Sequence, residues 1–234
     1  MANLLTTRPQ DTTSDANAQQ FIMQQMLMSN AFITLAVVTK VSEEGDLVAV
    51  KPMIEGFTGS GDRIPKTIIY GVPVWRLQRG ASAVIMPPVV GDIGLIAVCD
   101  RDISGVKATK EASLPGSNRT HNYADAIYLG GVLNADPSQY VKFSDDGIDV
   151  VSPLTVNITA PVIAVNADSS FTVNASNIVL NGPVSQGAGS YAGNFEFEGS
   201  ITAKGEITGA GVALSTHTHS GVDRGSSKTD VPDK

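Results

Sequence analysis

The chain has 234 residues, a formal charge of −7 and a single cysteine, Cys99. This length is enough to bury a core without disulfide bonds. The acidic balance and the lack of a Lys/Arg cluster exclude sequence-independent nucleic-acid binding, which requires neutralised phosphates. Cys99 stands in the apolar run GLIAVCD, where we expect a buried small side chain and not a catalytic thiol.

Residues 1–30 predict an N-terminal arm followed by a short helix. The first 14 residues are polar and Thr-rich and contain Pro9, which favours an extended arm. From Asp15, which can cap a helix, the Ala/Gln/Met content predicts a helix over 15–29. We expect its methionine-rich face to pack on its own domain, with a partner surface as the alternative. The sequence lacks a basic segment followed by a long apolar run, so we expect a soluble protein synthesised in the cytoplasm.

Residues 31–105 alternate apolar and polar side chains over short segments separated by turn signals. FITLAVVTKV and LVAVKPMI flank SEEGD, in which Gly45 supplies the positive φ of a hairpin. TIIYGVPVWRL, SAVIMPPVVGD and IGLIAVCDRD complete a set of five predicted strands. Because closure removes the edges of a sheet, this set predicts a small barrel of the OB-fold type.

Residues 106–146 predict a connector of polar loops with one apolar segment. That segment, AIYLGGVL, predicts a docked strand at 126–133. His121 lies in this connector, where we expect a solvated or backbone-bonded residue without a metal or catalytic role.

Residues 147–214 repeat apolar pairs about every seven or eight residues, as in NITAPVIAVNADSSFTV, apart from a Gly-rich gap at 187–193. A single-chain solenoid of this length would have only a few thin coils and little interior. Three intertwined chains, each giving one short strand per layer, close every ladder and fill a narrow apolar axis. The sequence therefore predicts a mainly β protein that ends in an intertwined trimeric β-helix.

His217 and His219 follow the repeat in the run LSTHTHSGV, at the start of a C-terminal segment over 215–234. In an extended chain, side chains two residues apart lie on one side. Two ligands are too few for a site in one chain, but three chains bring six imidazoles, which suit an octahedral first-row ion. We predict one Fe(II) per homotrimer, with Ni(II) or Co(II) as alternatives, since Zn(II) prefers four ligands.

Hydroxyl side chains surround the two histidines. They could orient the rings by hydrogen bonds or simply lie in solvent, and the sequence leaves both open. These residues are Ser215, Thr216, Thr218 and Ser220.

Four stretches resemble the central spike proteins of contractile-tailed phage baseplates. PPVVGDIGLIAVCDRDIS is similar to the closing strands of their OB-fold domain, and RTHNYADAIYLGGV to their connector. NITAPVIAVNA resembles their intertwined helix, and LSTHTHSGV their apex.

The resemblance implies that His217 and His219 of three chains hold one iron ion. It further implies a virion protein that sits on a baseplate hub protein and is driven through the host outer membrane when the sheath contracts. The residues leave one alternative, a trimeric receptor-binding or polysaccharide-degrading tail fibre. Against that alternative, the repeat has few aromatic residues, and its one close acidic pair, Glu196 and Glu198, is expected to be solvated. An enzyme is not expected, because the barrel segment contains no histidine.

Overall fold

The computed structural model describes residues 9–58, 62–187, 189–191, 193–218 and 225. The chain divides into two compact units, residues 1–159 and 160–234. Strands contain 29% of the residues and helices 13%, which confirms the mainly β fold class. The strands, in chain order, are β1 Ile33–Val41, β2 Leu47–Pro52, β3 Gly56–Phe57, β4 Arg63–Ile64, β5 Ile69–Pro73, β6 Leu77–Arg79, β7 Ser82–Val84, β8 Ile93–Val98, β9 Ala126–Gly131, β10 Tyr140–Ser144, β11 Gly147–Val151, β12 Thr208–Gly209 and β13 Val212–Ala213.

A 3-10 turn at Pro9–Thr12 leads into helix α1, Asp15–Ser29, which has the predicted bounds. Its cap is Ser14 and not Asp15: the Ser14 hydroxyl accepts a hydrogen bond from the Asn17 amide at 3.2 Å. Every residue of α1 is described, and none is buried. The prediction that α1 packs on its own domain is therefore wrong, since its Met and Leu side chains stand exposed.

Five antiparallel strands form the main sheet, in the order β5-β2-β1-β8-β9. The sheet curls until its outer strands meet, where Val74 and Tyr128 form a parallel bridge and the Trp75 amide donates to the Tyr128 carbonyl at 2.8 Å. Alternate residues face the interior, which explains why short apolar-polar segments fold in this way. The buried side chains are Ala36, Val38, Val48, Val50, Val72, Ile96, Ala126 and Tyr128.

The fifth strand of the barrel is not the one that the sequence predicted. The segment SAVIMPPVVGD contributes only β7, which pairs with β6 in a separate hairpin. Pro87 and Pro88 lack the amide hydrogens that a central strand must donate, so this segment cannot continue into the sheet. The connector supplies β9 instead, at the place where a docked strand was expected, and the sheet thus extends beyond residue 105. Gly45 has the predicted positive φ, +67°.

A second short helix, α2 Ser104–Thr109, follows β8 along the chain, and a 3-10 turn, Tyr123–Asp125, precedes β9. An Arg119 clasp fastens the connector to this end of the barrel. The guanidinium donates to Asp125 Oδ2 at 2.6 Å and to Asp102 Oδ1 at 2.6 Å, and both carboxylates are 1% exposed. Buried charges require such pairing.

The same clasp sets the ionisation of its acids. Hydrogen bonds from Ser104 and Ser117, together with the charge of Arg119, lower the pKa of Asp102 from 3.8 to about 2. A hydrogen bond from Arg119 likewise lowers the pKa of Asp125. Because Asp102 binds a proton less readily in the folded state than in the unfolded state, its ionisation stabilises the fold. This stabilisation is complete above pH 3.8 and is lost as the pH falls toward 2.

Beyond the barrel, β10 and β11 form a hairpin, and β11 is the first strand of the predicted repeat. In one chain, the described residues of 152–207 form no strand. Their apolar side chains are exposed, for example Leu154 at 84%, Ile158 at 72% and Phe171 at 70%. The intertwined β-helix therefore stays a prediction about several chains, and a single chain leaves its apolar stripes uncovered.

We predict that Asp102→Asn lowers the thermal unfolding midpoint of the barrel by roughly 5 °C at pH 7, because the clasp loses a charge that both Arg119 and Ser104 bind. The variant should also lose part of the pH dependence between 3.8 and about 2. Circular dichroism and the fluorescence of Trp75, the only tryptophan of the sequence, measure both effects. Asp136→Asn, at an exposed aspartate, is the control, and equal midpoints for the two variants would contradict the prediction.

Candidate metal centre at the apex

A short hairpin precedes the two histidines. Strands β12 and β13 pair through a two-residue turn, in which Ala210 has φ +50° and Gly211 has φ +84°. Positive φ at both central positions matches the twist of paired strands. The Leu214 amide donates to the Ile207 carbonyl at 2.8 Å, and the His217 amide donates to the Ala213 carbonyl at 3.1 Å. His217 is thus reached from the hairpin by a single hydrogen-bonded turn.

The Glu206 carboxylate joins the two ends of this hairpin. Its Oε1 accepts from the Ile207 amide at 3.0 Å and from the Ser215 amide at 3.1 Å, while Oε2 accepts from the Ser215 hydroxyl. These bonds, first those from Ser215, lower the pKa of Glu206, so the group is ionised at neutral pH.

The His217 ring is oriented by the backbone. Its Nδ1 lies 2.8 Å from the Leu214 carbonyl oxygen. A carbonyl only accepts, so Nδ1 carries the proton and the lone pair of the neutral ring is on Nε2. Metal-bound histidines commonly make this hydrogen bond, because it fixes the tautomer and the direction of the ring. The exposed His217 therefore fits the part of a metal ligand.

The structure describes only some of the other residues predicted near the site. His219 and Ser220 lie outside the described residues, so their metal and orienting roles stay predictions. Of the two roles left open for the hydroxyls, Ser215 takes neither: its hydroxyl binds Glu206, and Nδ1 of the His217 ring lies against the Leu214 carbonyl. The sequence pattern did not point to Glu206, because its contact with Ser215 spans nine residues.

Among the described residues, one chain contains no group of three or more His, Cys, Asp or Glu that could hold a metal ion. His121 lies far along the sequence from the pair, with its ring 4.6 Å from that of Phe32. Its Nδ1 is buried and has no hydrogen-bond partner in the part of the chain that the structure describes. Of the two expected alternatives, the backbone-bonded residue is confirmed: the His121 carbonyl accepts from the Ala31 amide at 3.0 Å, and the His121 amide donates to the Asp100 carbonyl at 3.3 Å.

Cys99 is half-buried and not fully buried as predicted. Desolvation, and then the charges of Asp125 and Asp100, raise the pKa of its thiol. A raised pKa disfavours the thiolate, which is the reactive form of cysteine.

Two family models match the chain. That of the phage protein Gp138 N-terminal domain covers residues 36–131, from within β1 to the end of β9. That of the GpV apex motif covers residues 211–233, which include His217 and His219. No curated protein matches the chain.

Together the two matches support a phage tail spike-type structural protein. The chain matches phage central spike proteins that carry an apex motif, which confirms the resemblance seen in the sequence. The GpV apex motif is associated with a metal-binding apex, and phage tail families imply a place in the virion tail. Within the described ranges, no helix has the length and apolar character needed to cross a membrane.

We predict that Gly211→Val opens the hairpin, because a β-branched residue at positive φ costs about 1–2 kcal/mol. The amides of Leu214 and His217 should then exchange hydrogen faster, as measured by mass spectrometry on peptides from this region. Gly205→Val is the matched control. The φ of Gly205 is not positive, and no atom lies within 4 Å of the position that a Cβ would take there. Unchanged exchange in Gly211→Val would show that the turn does not hold the apex segment.

Proposed function

We propose that this protein is the central spike of a phage tail baseplate, a non-enzymatic device that pierces the host outer membrane when the sheath contracts. The observation that carries the proposal is one chain with a Gp138-type barrel, a GpV apex motif and, between them, a repeat whose apolar side chains are exposed. The proposed domains are an arm and helix at 1–30, a barrel from 31, a connector ending at 146, a β-helix at 147–214 and an apex segment at 215–234.

The exposed repeat favours a homotrimer. Its large apolar side chains recur at two-residue spacing, as in Ile163/Val165 and Phe171/Val173, with Ser, Thr, Asn and Ala between them. In an extended chain this spacing puts them on one face. Exposing that apolar face to water costs free energy, and packing it around an axis shared by three chains would remove the cost. In the proposed trimer each chain gives one strand per layer, so backbone hydrogen bonds run along the axis and no edge strand is left.

His217 and His219 of the three chains would hold the metal ion, for which we propose Fe(II). The proton on His217 Nδ1 leaves Nε2 as the ligand atom, and six imidazole nitrogens suit an octahedral first-row ion. Bound there, the ion supplies a crosslink between three chain ends and no reaction chemistry. The work of piercing comes from the contracting sheath.

The barrel end is the part that we propose to seat on the baseplate hub protein. Helix α1 has exposed apolar side chains, among them Ile22, Met23 and Met26. Covering such side chains with a partner surface removes them from water and is favourable. We place α1 and the barrel at the hub, and the apex at the host outer membrane.

For the trimer, we predict that Phe171→Asp reduces or abolishes self-association, because a carboxylate would then be buried at the shared axis without a partner. Thr172→Asp, one residue further and on the opposite face, should leave the mass unchanged. Light scattering of dilute protein measures the outcome. A wild-type monomer that is folded at micromolar concentration would exclude the trimer.

For the metal, we predict one iron per three wild-type chains, and no iron in the double variant His217→Ala with His219→Ala. The variant should remain a trimer, because the repeat buries most of the shared surface. Elemental analysis beside the solution mass gives both numbers. Stoichiometric iron in the double variant would show that the ligands are other residues.

The tail-fibre alternative differs in its ligand. A spike should neither bind nor cleave outer-membrane polysaccharide, whereas a receptor-binding or depolymerising fibre should do one or both. Binding measured with polysaccharide purified from the host, or release of shorter fragments, would therefore favour the alternative.

A further inference from the structure

Glu206 is hydrogen-bonded to Ser215, the residue next to Leu214, and the Leu214 carbonyl contacts the His217 ring. Its carboxylate binds the amide and the hydroxyl of Ser215, and Ser215 directly follows Leu214, whose carbonyl accepts the His217 Nδ1 proton. The chain of contacts from Glu206 to the imidazole is thus complete within one protomer.

We propose that Glu206 is a positioning residue of the apex metal centre. By holding Ser215, it fixes the peptide that carries the Leu214 carbonyl, and this carbonyl fixes the tautomer and the direction of the His217 ring. The inference rests on the proposed metal function, and it assigns Glu206 a role in holding the metal without touching it.

The chemistry of the side chain supports this assignment. An ionised carboxylate offers about four acceptor sites and no donor, so it can take the hydrogen bonds of Ile207 and Ser215 together. A glutamine oxygen has only two such sites, and its NH₂ group would face donors. Glutamine is therefore a poor substitute here, despite its equal size.

The hairpin explains why a brace is needed at this place. Only two residue pairs, Thr208 with Ala213 and Gly209 with Val212, form the described β12–β13 ladder. A two-stranded ribbon this short is marginal in water. The bonds of Glu206 to Ser215 close the same loop one step further out and add a charge-assisted contact.

The test measures how fast iron leaves the full-length protein when a strong ferrous chelator is added. We expect Glu206→Ala to remain a trimer and to load iron, but to release it roughly 10–100-fold faster than wild type. Glu206→Gln and Ser215→Ala should release iron at intermediate rates. Glu198→Ala, at an exposed glutamate of the same segment with no described hydrogen bond or ion pair, should behave as wild type.

The double variant Glu206→Ala with Ser215→Ala tests the path of the effect. If Glu206 acts through Ser215, the double variant should release iron within about twofold of the rate of Glu206→Ala, because the two changes break one connection. Multiplied effects would show that Glu206 acts by another path and would overturn the proposal.

The remaining outcomes separate this proposal from the metal function itself. Iron-loaded wild type with an unchanged release rate in Glu206→Ala would overturn the role of Glu206 and leave the metal centre standing. Wild type without iron would overturn both. If Glu206→Ala does not assemble, Glu206→Gln and Ser215→Ala decide: faster release supports the role, and wild-type release rejects it.

Discussion

The repeat between the barrel and the apex imposes the strongest physical constraint on this protein. Its apolar side chains alternate with small polar ones, yet a single chain leaves Leu154, Ile158 and Phe171 mostly exposed. Soluble proteins rarely expose contiguous apolar surface of this kind unless another chain covers it. In the proposed trimer, folding of the repeat would depend on assembly, and the proposed register, metal and mechanical roles would depend on it too.

The barrel shows where sequence reasoning succeeds and where it stops. Alternation over residues 36–50 was sufficient to predict strands, because that pattern is local. Which segment forms the fifth strand could not be predicted from local pattern. Pro87 and Pro88 keep their own segment out of the sheet, and the connector strand β9 pairs with β8 instead. The Arg119 clasp shares this property, since its partners Asp102 and Asp125 come together only in the folded barrel.

At the apex, too, some residues could be recognised from the sequence and others only from the folded structure. His217 and His219 were recognisable from their spacing and their position after the repeat, and the GpV apex match includes both. The Leu214 carbonyl and Glu206 were not recognisable, because backbone acceptors leave no mark in a sequence and the Glu206–Ser215 contact spans nine residues. Side-chain identity led to the proposed ligands, whereas the contacts of His217 and Ser215 became visible only in the folded structure.

In the proposed trimer, the repeat and the metal solve different problems. Strands with a two-residue period and similar small side chains can slip by two residues and still bury the same face, so burial alone specifies register weakly. A site that needs imidazoles from three chains at one height admits only the register in which all three ends coincide. The repeat would then provide the free energy of association and the apex its alignment, which is why a rigidly oriented His217 matters for a device that must transmit force along its axis.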